Sequence, residues 1–355
     1  MRNTLEECRW LYNHFLEERK VAWEDYDNSL NLYGQMNTLD KLKIERTTLS
    51  NVHSQVLQNV AVRIDLAYKA FFRRVKTGEK PGYPRFRGAG WYDSFTYPQS
   101  GYSIDNSMVT LSKIGKVKCK VHRALKGKPK TCCVRRNSTG KWFVSFFCEV
   151  EDAPLSESIQ QVGIDVGLES FATLSTKEKI ANPRFFRTAE KAMAKAQRKM
   201  SKCKKGTPER TKARKVVSHI HERIANRRSN FAHQESRKIV NKYGFIAVEN
   251  LSINAMIHNH CLAKSISDAA WGQFSKYLAH KAESAGRQFV AVNPAYTSQD
   301  CSRCGHRQKL SLNMRIFHCS CCDLSLNRDH NASLNILAHG LVSLGIQPVE
   351  AVCFS

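Results

Sequence analysis

Val162-Gly163-Ile164-Asp165-Val166-Gly167 is a short apolar run with a single carboxylate inside it. Its length and branched side chains predict a buried strand, with Phe171-Ala172-Thr173-Leu174 as its hairpin partner. An ionised Asp among such residues is costly unless it is paired or holds a cation. Working outward, the pattern returns at Phe245-Ile246-Ala247-Val248-Glu249, a second buried strand that ends on an acid. Phe289-Val290-Ala291-Val292 reads as a third strand. A third acid, Asp329, opens a short helix expected over about 329–339, beside Arg328 and ahead of Asn331 and Asn335.

Taken singly, these acids have ordinary explanations. Asp165 can be a strand-end turn residue and Asp329 an N-cap. Taken in order, strand-Asp, strand-Glu and helix-Asp are what an RNase H-like nuclease needs. Two Mg2+ ions held by Asp165, Glu249 and Asp329 would activate water and stabilise the leaving oxygen in phosphodiester hydrolysis.

Between the second and third acids stands Cys301-x2-Cys304-x14-Cys319-x2-Cys322. Each C-x2-C can sit on a tight turn that aims two thiolates at one ion, and Gly305 suits such a turn. The spacing predicts one tetrahedral Zn2+ site. It is structural rather than catalytic, because all four positions are filled by protein. Cys321 is a rival ligand, although the x2 spacing favours Cys319 with Cys322. His306 and His318 read as bystanders. The other cysteines, Cys353 among them, are scattered or, at Cys132-Cys133, too close together for an ordinary ligand set.

The 355 residues carry 56 Lys and Arg against 31 Asp and Glu, a formal charge of +25. That surplus calls for an anionic partner, and nucleic acid fits best because phosphate contacts release counterions. No apolar run is long enough to span a membrane and no signal peptide opens the chain, so a cytoplasmic, nucleoid-associated protein with no membrane partner is expected. The charge is concentrated. Residues 182–240 read as long helices with 18 Lys and Arg against 4 Glu. The residues expected to grip phosphates are Arg184, Arg187, Lys195, Arg198, Lys199, Lys202, Lys212, Arg214, Lys215, Arg223, Arg227 and Arg228, joined by Arg328. His219-Ile220-His221 lies in this helical stretch, which does not suit the strand-borne His pair of single-strand transposases.

Residues 4–75 read as helices, with Leu5, Cys8, Leu11, Tyr12 and Phe15 and then Val56, Val60, Ile64, Ala67 and Phe71 at helical spacing. A breaker cluster, Lys76 to Pro84, leads into β-rich runs at 95–97, 108–111, 117–121 and 142–150, read as a small basic β-barrel. Aromatic and basic residues interleave at Tyr83-Pro84-Arg85-Phe86-Arg87, which suits either nucleic-acid contact or a barrel rim. Residues 151–160 are a polar linker, and 266–285 read as one amphipathic helix using Ala269, Phe274, Leu278 and Ala282.

Several motifs together resemble the TnpB (OrfB) family of insertion-sequence RNA-guided nucleases, relatives of the type V CRISPR effectors. They are 162–167 and Val248-Glu249-Asn250-Leu251, then Tyr296-Thr297-Ser298-Gln299 leading into Cys301-Ser302-Arg303-Cys304-Gly305, and Arg328-Asp329-His330-Asn331-Ala332. Asn182-Pro183-Arg184-Phe185-Phe186-Arg187 is also similar, as are Arg9-Trp10-Leu11-Tyr12-Asn13 and Pro84-Arg85-Phe86. The resemblance implies an α/β fold: an RNase H-like (RuvC) nuclease domain with an inserted zinc ribbon, preceded by a wedge-like β-barrel with a helical recognition insertion. It divides the chain into a helical recognition region (1–75), the barrel (76–152), the first part of the RuvC-like domain (161–298), the ribbon (299–325), the last RuvC-like helix (326–340) and a tail (341–355). Asp165, Glu249 and Asp329 match the family's catalytic acids, and the four cysteines match its zinc ligands. The implied activity is RNA-guided cleavage of double-stranded DNA beside a short flanking motif, with guide RNA from the transposon end. Two departures stand out. The strand that precedes the Arg9 segment in the family has no counterpart in the eight residues before it, and the usual Asp-Arg-Asp reads Asn327-Arg328-Asp329. Two other readings stay open: a nuclease-inactive RNA-guided DNA-binding regulator, and an accessory transposase protein.

Overall fold

The computed structural model describes residues 1–151, 154–311 and 314–345. The chain divides into two compact units, Met1–Glu151 and Asp152–Ser355. Both mix helices and sheet.

The first unit opens with α1 (Arg2–Tyr26), α2 (Leu32–Asn37) and α3 (Leu39–Glu45), a 3-10 turn at Thr47–Asn51, and α4 (Ser54–Lys76). The predicted spacing is what packs: Leu5, Cys8, Leu11, Tyr12 and Phe15 of α1 are buried, with Val56, Val60 and Ile64 of α4. Six strands follow: β1 (Ser94–Tyr97), β2 (Tyr102–Asp105), β3 (Met108–Leu111), β4 (Gly115–Lys118), β5 (Lys128–Arg136) and β6 (Trp142–Glu149). They are hydrogen-bonded as two antiparallel three-stranded sheets, ordered β1-β5-β6 and β2-β3-β4, that share a core with α1 and α4. β4 stops at Lys118, short of the expected 121. β2 and β5 lie where no strand was expected. The basic ends of β5 hide its inward residues Cys132 and Val134.

In the second unit, β7 (Gln161–Val166), β8 (Ser170–Leu174) and β9 (Lys179–Ala181) form an antiparallel meander. Then come α5 (Phe185–Lys202), α6 (Pro208–Lys242), β10 (Phe245–Glu249), α7 (Ile253–Met256), α8 (His260–Ala269), α9 (Trp271–Ser284) and β11 (Gln288–Val292). The small hairpin β12 (Ile316–His318) and β13 (Ser325–Asn327) precedes α10 (Arg328–Ser343). The sheet runs β11-β10-β7-β8-β9, with β10 parallel to both β7 and β11.

Both faces of this sheet are covered. Val162, Ile164, Ile246 and Val248 point toward α6, α8 and α9. Phe245, Ala247 and Val292 point toward Ile336 and Leu341 of α10. Two glycines set how close α10 comes. A Cβ on Gly163 would strike the Ser333 carbonyl oxygen and the Leu337 amide, and one on Gly340 would strike Ala247.

The single helix expected over 266–285 is two. Ala270 adopts a left-handed conformation (φ 57°) and divides α8 from α9. The break seats Trp271 in the core while Asp268 stays on the α5–α6 side. The last helix runs to Ser343, past the expected 339 and into the region expected as tail. Residues 346–355 of that tail, including Cys353, lie outside the described residues. No helix of the described residues is long and apolar enough to cross a membrane.

Candidate nuclease site and zinc ribbon

The register of the parallel pair aligns the first two acids. Phe245 pairs with Gln161, and the ladder continues in step to Val248 with Ile164. One residue further along both strands stand Asp165 and Glu249. Side chains alternate along a strand, so both acids share the face of Gly163 and Ala247, which is the face α10 covers. Asp329 lies in the first turn of α10. The sites that sequence reading proposed thus arrive from two strand ends and one helix start.

The electrostatics agree. Burial pushes the Asp165 carboxyl well above the usual carboxylate range, and the charges of Glu249 and Asp329 push it further, with Arg328 opposing. Burial also raises Glu249, while a hydrogen bond from Thr297 lowers it. Buried Asp165, with two further acids acting on it and one nearby guanidinium, is short of positive charge. The hard oxygen donors of the three acids, and the raised proton affinity of Asp165 and Glu249, fit a divalent cation such as Mg2+.

Asp329 is not the N-cap. Asn327 is: its Oδ1 accepts from the Asp329 and His330 amides at 3.1 and 3.3 Å. The Asp329 carboxylate is therefore not used in capping. It lies 3.8 Å from Arg328 Nε. His330 binds the Ser175 carbonyl (3.0 Å), and Ser175 Oγ accepts from the Gly163 amide (3.1 Å), so the start of α10 is tied to β7.

The ribbon closes as the spacing predicts. The Cys301 and Cys322 sulfurs are 3.6 Å apart, as are those of Cys304 and Cys319, and all four lie within 4.8 Å of one another. A tetrahedral ion with Zn–S bonds of about 2.3 Å would set its sulfurs roughly 3.8 Å apart. Burial raises the Cys301 thiol to about 12. At Cys319 burial acts the same way but is outweighed by hydrogen bonds from the Cys321 and Cys322 amides and from the Cys304 and Cys301 thiols, and the thiol falls to about 6. Gly305 takes the positive φ (73°) of a knuckle turn, and its amide donates to the Cys301 carbonyl at 2.9 Å. Cys321 is exposed and outside the cluster; its amide donates to Cys319 Sγ (3.4 Å). His306 meets Ser320 instead of the cluster.

Eleven of the thirteen basic residues singled out are exposed on or beside α5 and α6, from Arg184 to Arg227. An open groove of about 960 Å³ runs along α5 between Arg187 and Lys202. Arg228 and Arg328 differ. Arg228 donates Nε and Nη2 to Asp268 Oδ1 at 3.0 and 2.7 Å, so it is an internal anchor rather than a free phosphate contact. Arg328 is turned toward the acids, with its side chain 18% exposed.

Sequence reading missed four polar residues that organise the site. Asp268, 6% exposed, accepts the Phe186 amide at 2.8 Å and fixes the start of α5. Thr297, 2% exposed, donates to Glu249 Oε1 at 2.5 Å. Asn335 donates to the Thr297 and Asp300 carbonyls (2.8 and 2.7 Å), and Asn331 to the Asp300 carbonyl (2.7 Å). The signals were two Asn residues four apart on the buried face of α10 and the place of Thr297 in the Tyr296-Thr297-Ser298-Gln299 motif; Asp268 had none.

The chain is 35% identical over 352 residues to the "Putative RNA-guided DNA endonuclease" of Streptomyces pristinaespiralis, across 96% of this chain and 86% of that one. It belongs to the TnpB (OrfB) family. The TnpB-family model described as OrfB_IS605, "Probable transposase", matches residues 145–260, and the "Cas12f1-like, TNB domain" matches 271–336, which holds the ribbon and Asp329. A second TnpB relative is the "Putative RNA-guided DNA endonuclease InsQ" of Escherichia coli K12, 32% identical over 362 residues, with 96% of this chain and 88% of that one covered. Among solved structures, a cryo-EM CRISPR-Cas12f ternary complex aligns over 95% of this chain and 80% of its own, with 16% identity and a TM-score of 0.41.

Proposed function

We propose that this chain is an RNA-guided DNA endonuclease whose RuvC-like site hydrolyses phosphodiester bonds with Mg2+. The observation that carries the reading is that Asp165 and Glu249 stand side by side on the face α10 covers, with Glu249 and Asp329 both close enough to push the buried Asp165 carboxyl upward, a conflict that a bound cation would relieve. Family membership supports the guided mode of action, since the relatives in Streptomyces and E. coli carry that name.

In this reading Asp165, Glu249 and Asp329 hold two Mg2+ ions. The bound ions supply activation of the attacking water and charge stabilisation at the leaving oxygen. The protein contributes position. Parallel register sets Asp165 beside Glu249, and Gly163 lets α10 deliver Asp329. Arg328 offsets part of the carboxylate repulsion at Asp165. The cysteine cluster holds one structural Zn2+. The exposed cations of α5 and α6 grip RNA and DNA phosphates, while pairing with guide RNA from the transposon end selects the target beside a short flanking motif. Residues 1–75 and 76–152 serve as the recognition helices and wedge-like region, and 161–298 with 326–340 as the RuvC-like domain interrupted by the ribbon. An inactive regulator would have no need to keep all three acids.

The guided part is tested by co-expressing the protein with its neighbouring non-coding DNA and sequencing the RNA that co-purifies. A discrete RNA carrying an element-end sequence is expected. RNA of random composition would reject guidance.

A further inference from the structure

Glu249 sits at a strand end, and a glutamate there has three side-chain torsions to settle. One hydrogen bond settles them: the buried Thr297 hydroxyl donates to Oε1 at 2.5 Å. Thr297 lies in a loop that the zinc knuckle clamps. Tyr296, immediately before it, holds a left-handed backbone (φ 66°), a strained state for an aromatic residue. The Arg307 guanidinium, three residues past Cys304, lies 3.6 Å from the centre of the Tyr296 ring. The same guanidinium binds Asp300 through both carboxylate oxygens, at 2.6 and 3.0 Å. From the other side, Asn335 holds the Thr297 carbonyl, while Asn331 holds the Asp300 carbonyl and accepts the Ser302 amide (3.0 Å).

We infer that Thr297 is a positioning residue for the Glu249 carboxylate, and that the zinc knuckle acts on the nuclease site through it. The knuckle fixes Arg307, which with Asn331 and Asn335 of α10 immobilises residues 296–300. That immobility holds the Thr297 hydroxyl against Glu249. Groups that orient a metal ligand typically change metal affinity by about 10–100-fold when removed. The ribbon thus sets the geometry of a carboxylate that precedes it by some fifty residues in sequence. This rests on the reading of Asp165, Glu249 and Asp329 as a divalent-metal site.

The experiment is calorimetric titration of the full-length, zinc-loaded protein with Mn2+, alongside zinc analysis. Thr297→Val, which keeps the shape and loses the hydroxyl, is expected to weaken Mn2+ binding about tenfold or more with one zinc per chain retained. Thr297→Ser, which keeps the hydroxyl, is expected within about twofold of the parent. If Thr297→Val loses its zinc and its fold, Asn335→Ala takes its place, with weaker Mn2+ binding expected in the same direction. Parental Mn2+ affinity in the folded Thr297→Val protein, or in Asn335→Ala where that variant stands in, overturns the proposal. Asp165→Asn separates the two claims. If it abolishes Mn2+ binding while Thr297→Val does not change it, the positioning role alone fails. If it too leaves Mn2+ binding intact, the metal site itself is wrong and the positioning role falls with it.

Discussion

At the scale of the residue, Asp165 carries the largest conflict between folding and function. Its carboxyl is held well above the ordinary range, chiefly by burial and then by Glu249 and Asp329. The folded state therefore binds the proton more tightly than the unfolded state. The stability contributed by the protonated form is present at low pH and is lost as pH rises past the ordinary Asp value of 3.8 toward the raised one. In magnesium-free buffer with zinc retained, melting temperature should fall over that window, and the fall should be shallower in Asp165→Asn. At neutral pH the same variant should melt about 2–4 °C higher than the parent, the shift that ~1 kcal/mol gives in a domain of roughly 200 residues. Added Mg2+ should raise the melting temperature of the parent and not of the variant, because a ligand stabilises only the state it binds. A variant no more stable than the parent without metal would contradict the burial argument.

Elements impose the geometry that residues exploit. Glycine at 163 is required because α10 lies directly over β7, and a methyl group there would meet backbone atoms that have no rotamer to yield. Gly163→Ala should cost about 1–3 kcal/mol in denaturant unfolding, the usual range for overpacking, and should displace Asp329 enough to lose most cleavage. Asp268 acts at another helix junction. With its side chain only 4% exposed, it binds the first turn of α5 and the Arg228 guanidinium together. Asp268→Ala should cost about 2–3 kcal/mol, below the 3–5 of a fully buried pair because Arg228 is 23% exposed. Chemical denaturation of that variant measures it. Sequence patterns gave β7, β8, β10 and β11 of the second unit, since these are largely apolar runs bounded by polar residues, but not the three-residue strands β9, β12 and β13, which are too short to show a pattern. They could not give the break at Ala270, because alanine is the best helix former and only the burial of Trp271 and Asp268 on different sides explains it. Nor could they give β5, where Lys128-Pro129-Lys130 and Arg135-Arg136 conceal the inward residues.

Across the whole molecule, charge and metal chemistry divide the work. The formal charge of +25 is expressed most densely on α5 and the first half of α6, whose small core of Met193, Val217 and Ile224 leaves most of their surface to solvent. Lys195→Gln with Lys199→Gln should leave stability unchanged and weaken nucleic-acid binding. It should also reduce the slope of log affinity against log salt by about one per phosphate contact removed. Binding measured from low to high salt gives that slope. The acids and cysteines could be picked out from the sequence because the order strand-Asp, strand-Glu, helix-Asp and the paired C-x2-C spacing point to a chemistry that no one of these residues carries singly. Thr297, Asn331 and Asn335 could not be, because their roles exist only once β10, the ribbon and α10 meet. The proposed function stands on Asp165, Glu249 and Asp329 forming one metal-dependent cleavage site. Its most direct test is cleavage of a matched plasmid, in Mg2+, by the protein with its co-purified RNA. Asp165→Asn, Glu249→Gln and Asp329→Asn are each predicted to cut at least about 1000-fold more slowly while still binding RNA and target. Parental cleavage by any one of the three would contradict it.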